Sequence, residues 1–263
     1  PAPSPDNAPP SPPALPPPRR RERAAALVVA VTGSFLMPFM GASISVALPA
    51  IGQEFDLGAL ALSWLATGYL LATAIFLVPF GRLADIYGRN RMYLFGNIVY
   101  TIASAGCALA PSASLLLAAR VLQGLGAAMM VGLSMALIAS VFAPGERGRV
   151  LGLTVAAVYL GLSVGPFVGG LLTHGFGWRS LFWTSVPLGL GISLLSLFLL
   201  AREQVPAQRE PFDLPGALLY GLALLLLMLG LGQMPSLPGG GLVLAGVLGL
   251  GLFGRWAARC QHP

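Results

Sequence analysis

An all-α integral membrane protein is the fold class this sequence predicts, and three observations predict it. Of its 263 residues, 56% are hydrophobic and 9% charged, against roughly 25% charged in a soluble domain, so the chain lacks the polar residues to coat itself in water. Its apolar residues fall in long blocks, several exceeding the ~20 residues that cross a ~30 Å hydrocarbon layer as a helix. Its basic residues stand at the ends of those blocks and form no basic, aromatic-studded face. The formal charge of +6 therefore points to membrane topology, and nucleic acid is not expected as a partner. All fifteen basic residues are Arg, a bias from which no function is read.

Ten of the first eighteen residues are Pro, a composition that favours extended, solvated chain. Residues 1–23, ending in Arg19, Arg20, Arg21 and Arg23, are expected to be a disordered cytoplasmic tail. The apolar run that follows, 24–51, is too long for the 7–15-residue core of a signal peptide and reads as the first span. Further runs at 60–80, 92–111, 114–141, 149–173 and 180–201 complete a six-helix bundle over 24–201. A polar linker at 202–213 precedes two further runs, 214–234 and 239–256, within a final segment 214–263. Eight spanning helices are expected. Cys107 lies in an apolar run and Cys260 in the tail, so neither a disulfide nor a metal site is expected. The chain starts at Pro1 and stops shortly after its last span, and is expected to be part of a longer protein.

Loops assigned to alternate sides give the orientation, because cytoplasmic loops retain Arg. With the N-terminus inside, thirteen Arg fall on the cytoplasmic side, Arg179 alone falls outside, and Arg120 lies within a span. Trp64, Trp178 and Trp183 then fall near the outer interface and Trp256 near the inner one. The chain is expected to be a multi-pass protein of the cell (inner) membrane with its N-terminus cytoplasmic and the lipid bilayer as partner.

Spacing reveals an internal repeat. GRLADIYGR begins at Gly81 and GLLTHGFGW at Gly170, sharing Gly, Leu, an aromatic and Gly at matching steps 89 residues apart. That offset carries spans 1–3 onto spans 4–6. Three is odd, so the second copy enters the membrane from the other side. An inverted 3+3 repeat is characteristic of secondary transporters, whose sites lie near the midplane at the repeat interface.

Four stretches carry chemistry or close packing. Between spans 2 and 3, Gly81, Arg82, Leu83, Asp85, Gly88, Arg89 and Arg91 make a tight charged turn, which reads equally as a positive-inside connector or as a functional element. In span 4, Arg120 lies about six residues inside, with Gln123 on its face at i+3. An embedded charge costs ~2.5–3.5 kcal/mol on insertion scales and should face a cavity, a partner or the interface. In span 5, Gly161, Gly165 and Gly169 recur every four residues beside Pro166 and Gly170, a bare stripe that lets another helix approach. Met37, Met40, Met129, Met130 and Met135 provide either an adaptable cavity lining or lipid-facing packing. No His cluster, Ser/His/Asp set, metal spacing or phosphate loop is present, so no cofactor, metal or enzymatic activity is expected.

These motifs resemble the major facilitator superfamily, from residue 24 nearly to the end. GRLADIYGR resembles its signature loop, which implies a charge network of Asp85 and Arg89, supported by Arg82 and Arg91, at a cytoplasmic gate. RVLQGLGAA resembles its second motif and implies proton coupling for Arg120. GLSVGPFVGGLL resembles the antiporter motif of its exporter branches. WRSLFWTSVPLG and the final pair beginning FDLPGALLYG resemble fourteen-spanning drug:proton antiporters. The resemblance implies alternating-access export of small hydrophobic or amphiphilic molecules, with protons as the coupling partner. It also implies an opposing bundle, from a missing C-terminal half or a second copy. The alternatives are a carrier not coupled to protons and a non-transporting scaffold or remnant. One departure bears on coupling: where such antiporters carry Asp in helix 1, this sequence has Met40, and none of its nine acids lies deep in a span.

Overall fold

The computed structural model describes residues 19–200 and 213–258. The Pro-rich stretch 1–18, residues 201–212 with most of the linker, and residues 259–263, with Cys260, lie outside them. Among the described residues the chain is helical: α1 (Arg20–Phe55), α2 (Ala59–Tyr87), α3 (Arg89–Ala108), α4 (Ala113–Val131), α5 (Ser134–Val141), α6 (Pro144–Phe176), α7 (Arg179–Leu200), α8 (Leu214–Gly232) and α9 (Leu237–Ala257).

The helix ends follow local chemistry. α1 begins four residues earlier than its apolar run, because the Glu22 carboxylate accepts from the Arg19 backbone N–H at 2.9 Å and satisfies a donor the first turn would leave bare. The Arg cluster at Arg20–Arg23, read above as tail, is therefore helical. Ser112, Asp213 and Ser236 cap α4, α8 and α9 by accepting backbone N–H groups. Gly88 and Gly177 join α2 to α3 and α6 to α7 with φ of +105° and +80°, angles that favour glycine.

One expectation is revised and another qualified. The fourth span is broken: α4 ends at Val131 and α5 resumes at Ser134. Gly132 is a weak helix former, and the Ser134 hydroxyl donates to the Met130 carbonyl at 2.9 Å, offering the backbone an alternative to the helical ladder. In addition, seven of the described helices are long and apolar enough by composition to cross a membrane; α3, expected as a span at 92–111, is less apolar than these but packs within the bundle on α4 and α7. Its polar residues explain this. Asn90, Asn97, Thr101 and Ser104 are buried, facing other helices instead of lipid.

Helix pairing obeys the inverted repeat. Exchanging α1 with α4–α5, α2 with α6 and α3 with α7 turns each major contact into another: α1 on α6 becomes α4 on α2, α3 on α4 becomes α7 on α1, and α3 on α7 maps onto itself. The two positive-φ glycines, Gly88 and Gly177, are exchanged by the same operation. Asn97 donates to the Gly189 carbonyl and the Ser193 hydroxyl, both at 2.7 Å, pinning α3 to α7. α8 and α9 form a hairpin that meets the bundle along α2, where the Tyr220 hydroxyl donates to the Ala74 carbonyl at 3.3 Å. Large apolar side chains such as Phe167, Leu171 and Leu218 are exposed around the outside, as a multi-pass membrane protein requires of its lipid-facing surface.

Candidate functional site: a membrane-embedded cavity

A cavity of about 660 Å³ opens between α1, α2, α4–α5 and α6. Its position follows from the repeat, because α1 and α4–α5 are symmetry partners, as are α2 and α6, so the two copies meet across it. The walls are largely apolar: Met37, Pro38, Ile44, Leu70, Val155 and Leu162 contribute, with Ser34, Thr73 and Ser134 as polar points. Arg120 alone among the lining residues carries a formal charge at neutral pH.

Arg120 is 1% exposed, so it does not snorkel to the headgroups. Its Nε donates to the Leu65 carbonyl at 3.2 Å and its Nη1 to Gln123 Oε1 at 2.6 Å. Gln123 Nε2 in turn donates to the Ser104 hydroxyl at 2.8 Å, which donates to the Tyr100 carbonyl at 2.7 Å. The guanidinium sits 4.5 Å above the centre of the Tyr69 ring, which offers it the negative face of the π-system. Nη2 has no hydrogen-bond partner, and no carboxylate of the described residues pairs with the group. All described acids, Glu22, Glu54, Asp56, Asp85, Glu146 and Asp213, lie at helix ends. The chain Arg120–Gln123–Ser104–Tyr100 thus holds a fixed cation at the cavity wall.

The glycine stripe of α6 is where α1 lies closest. A Cβ on Gly161 would stand 2.6 Å from the Phe35 carbonyl oxygen, one on Gly165 2.8 Å from Ala42 Cβ, and one on Gly169 2.8 Å from Ser43 Cβ. Real Cβ atoms do not approach that closely, so only glycine permits this separation. The Ser43 hydroxyl donates to the Gly165 carbonyl at 2.9 Å across the seam. Pro166, one residue on, has no N–H for the helix ladder. Gly170 is different: a Cβ there would meet only Val46, at 3.6 Å, so it lies off the seam.

At the Arg-rich end, Arg89 Nε and Nη2 hold Asp85 Oδ1 at 2.9 and 2.8 Å, one helical turn apart across the Gly88 connector. Both side chains are about half exposed. Gly81, Asp85 and Arg89 share a second cavity, of about 510 Å³, with Gly132, Ile138 and Arg147. Arg147 donates to the Phe142 and Ala139 carbonyls at 3.0 and 2.9 Å, satisfying the C-terminal end of α5. Arg82 and Arg91 have interaction partners of their own. A Cβ on Gly81 would meet nothing, so within the described residues space does not demand glycine there.

The methionine lining narrows. Met37 and Met135 line the large cavity, whereas Met40, Met129 and Met130 are buried elsewhere. Met129 packs against Gly96, and Met130 approaches Gly33. Helical periodicity alone does not say which side of a fully apolar helix faces a void.

One constellation escaped the sequence reading. Glu54, at the end of α1, accepts from Arg179 Nη1 at 2.8 Å and from Trp178 Nε1 at 2.7 Å. Arg179 Nη2 also donates to the Ala110 carbonyl at 3.1 Å, and the guanidinium stacks 4.3 Å from the Trp178 ring. Trp178, expected in an interfacial aromatic belt, is 3% exposed because the rings of Phe55 and Phe182 pack edge-on against it while this network takes its N–H. The signal in sequence was one acid and one base in two connectors assigned to the same side of the membrane. The polar face of α3 left a clearer signal, since Asn97, Thr101 and Ser104 recur at helical spacing.

The Major Facilitator Superfamily model matches residues 30–214. A riboflavin transporter, RibZ, of Clostridioides difficile is 30% identical over 79% of this chain and 45% of its own. The multidrug resistance protein Stp of Mycobacterium tuberculosis is 37% identical over 75% and 37%. The cephamycin export protein CmcT of Amycolatopsis lactamdurans is 38% identical over 79% and 43%. The chain therefore spans less than half the length of each of these relatives. A crystal structure of the POT family transporter PepTSo superposes with a TM-score of 0.62 at 17% identity, covering 94% of this chain and 56% of that one, a likeness of fold.

Proposed function

The chain belongs to the major facilitator superfamily, and from that premise we propose that it is the N-terminal bundle of a secondary active exporter working by alternating access. The observation that carries this reading is the cavity of about 660 Å³ at the meeting of the two inverted copies, in a bundle whose outer surface is apolar. Its cargo is small and hydrophobic or amphiphilic, because the wall is mostly hydrocarbon with Met37 and Met135 as adaptable contacts. The N-terminus is cytoplasmic and the protein lies in the cell inner membrane, as its Arg distribution favours. Asp85 and Arg89 latch the cytoplasmic end against an opposing bundle, and Arg82 and Arg91 reinforce the charge there. The Gly161–Gly165–Gly169 seam holds α6 on α1 while the bundle rocks as a unit.

Transport is coupled to protons by antiport, as the resemblance of the Arg120 and Gly161–Gly170 motifs to those of drug:proton antiporters favours. The titrating carboxylate lies outside these helices, since the described acids sit at helix ends and Met40 occupies the helix 1 position. Arg120 stays charged at ordinary pH and acts on coupling only through what it binds. The protein catalyses no chemical step.

The test is efflux of a panel of lipophilic dyes from cells expressing the full-length gene, with and without a proton gradient. Efflux that collapses with the gradient is expected. Efflux indifferent to the gradient would reject the proton coupling, and no efflux above that of empty cells would reject the exporter reading.

A further inference from the structure

Among the described residues, the cavity wall combines a buried cation with no acid. Ordinarily a buried guanidinium is paired, because an isolated charge in a medium of low dielectric is costly. Here Arg120 has a carbonyl, an amide oxygen and a ring face, three neutral partners, while Nη2 has none. Neutral acceptors satisfy its donors but leave its charge uncompensated. Nothing anionic among the described residues lines the space. The hydrogen bonds to Leu65 and Gln123 hold the planar fork still, so the cation costs little further ordering when an anion arrives.

We propose that the cavity selects amphiphilic anions: the guanidinium of Arg120 binds the carboxylate or sulfonate head of the cargo, and the apolar walls around Met37, Leu70 and Leu162 take its body. This rests on the exporter reading and adds to it the charge of the cargo. Lipophilic cations are disfavoured by the same field that draws anions. A charge-assisted pair in a water-poor site is stronger than a neutral hydrogen bond, and the difference corresponds to about tenfold or more in affinity.

The experiment uses the full-length protein in lipid nanodiscs and proteoliposomes with three probes of one skeleton: 4-(1-pyrenyl)butyrate, 4-(1-pyrenyl)butanol and 4-(1-pyrenyl)butyltrimethylammonium. The expected order of binding is butyrate first, by about tenfold or more over the alcohol, and ammonium last. Arg120→Gln should bring butyrate down to the level of the alcohol. Met135→Glu, at an exposed position of the same wall, should reverse the order of butyrate and ammonium without touching the Arg120 network, which keeps the test open should Arg120→Gln fail to fold. Tightest binding of the ammonium by the unaltered protein would overturn the proposal, as would three equal affinities. Transport of the ammonium with no butyrate preference would sink the anion selectivity and leave the exporter standing. The expected binding order with no transport of any probe would do the reverse.

Discussion

At the scale of single residues, structure separates positions that look alike in sequence. Gly165 and Gly170 belong to one glycine-rich motif, yet only the first lies where α1 would collide with a side chain. Gly165→Val should therefore destabilise the bundle by about 1–3 kcal/mol, the usual cost of overpacking, whereas Gly170→Ala should stay within about 0.5 kcal/mol. Thermal melting of the detergent-solubilised protein distinguishes them, and equal losses would mean the seam is not where packing is tightest. Asp85→Asn poses the opposite case. The Asp85–Arg89 pair is half exposed and contributes less than about 1 kcal/mol, so melting should be nearly unchanged while efflux falls. A stability loss as large as that of Gly165→Val would assign the pair to the fold instead of the gate. The Arg120 position was legible as an embedded charge with Gln123 on its face, but the rest of the network was not, because Leu65 reaches Arg120 and Ser104 reaches Gln123 from helices distant in sequence.

Between helices, the connectors carry the repeat more faithfully than the spans do. Gly88 and Gly177 lie 89 residues apart and both adopt a positive φ with an extended ψ, a region nearly restricted to glycine. Gly88→Ala and Gly177→Ala should each cost about 1–3 kcal/mol, although a Cβ on Gly177 would meet open space. A neutral Gly177→Ala in the same melting experiment would show that the connector relaxes. Hydropathy found these connectors because polar and glycine residues interrupt the apolar runs. It missed the break between α4 and α5, since Gly132 and Ser134 sit in an otherwise unbroken apolar stretch and the competing bond is a side-chain choice.

Across the whole molecule, the six helices α1–α4, α6 and α7, with the short α5, form one pseudo-symmetric bundle, and α8–α9 attach along α2. The hairpin packs mainly on itself, with Gly230 against Val243 and Gly246 against Leu227. Removing residues 214–257 from the full-length protein should therefore leave the first bundle folded, and an even number of spans lost should preserve the topology of whatever follows. Limited proteolysis and melting of the deletion variant check this, and a bundle that no longer melts cooperatively would show that α2 depends on the hairpin. The Glu54–Trp178–Arg179 network lies at the opposite end from Asp85–Arg89, so each end of the bundle has its own polar tie between helices.

The sequence by itself determined the membrane class, the number and order of the long helices, the inverted repeat and the place of the embedded charge. All of these follow from period, length and solvent, which act along the chain. Only the tertiary structure decided which methionines line the cavity, which glycines touch α1, where the fourth span breaks and what surrounds Arg120. These depend on which face of an apolar helix meets another helix and which meets lipid. In a membrane both neighbours are apolar, so hydrophobic patterning no longer marks the inside, and close packing and buried polar bonds set the faces instead.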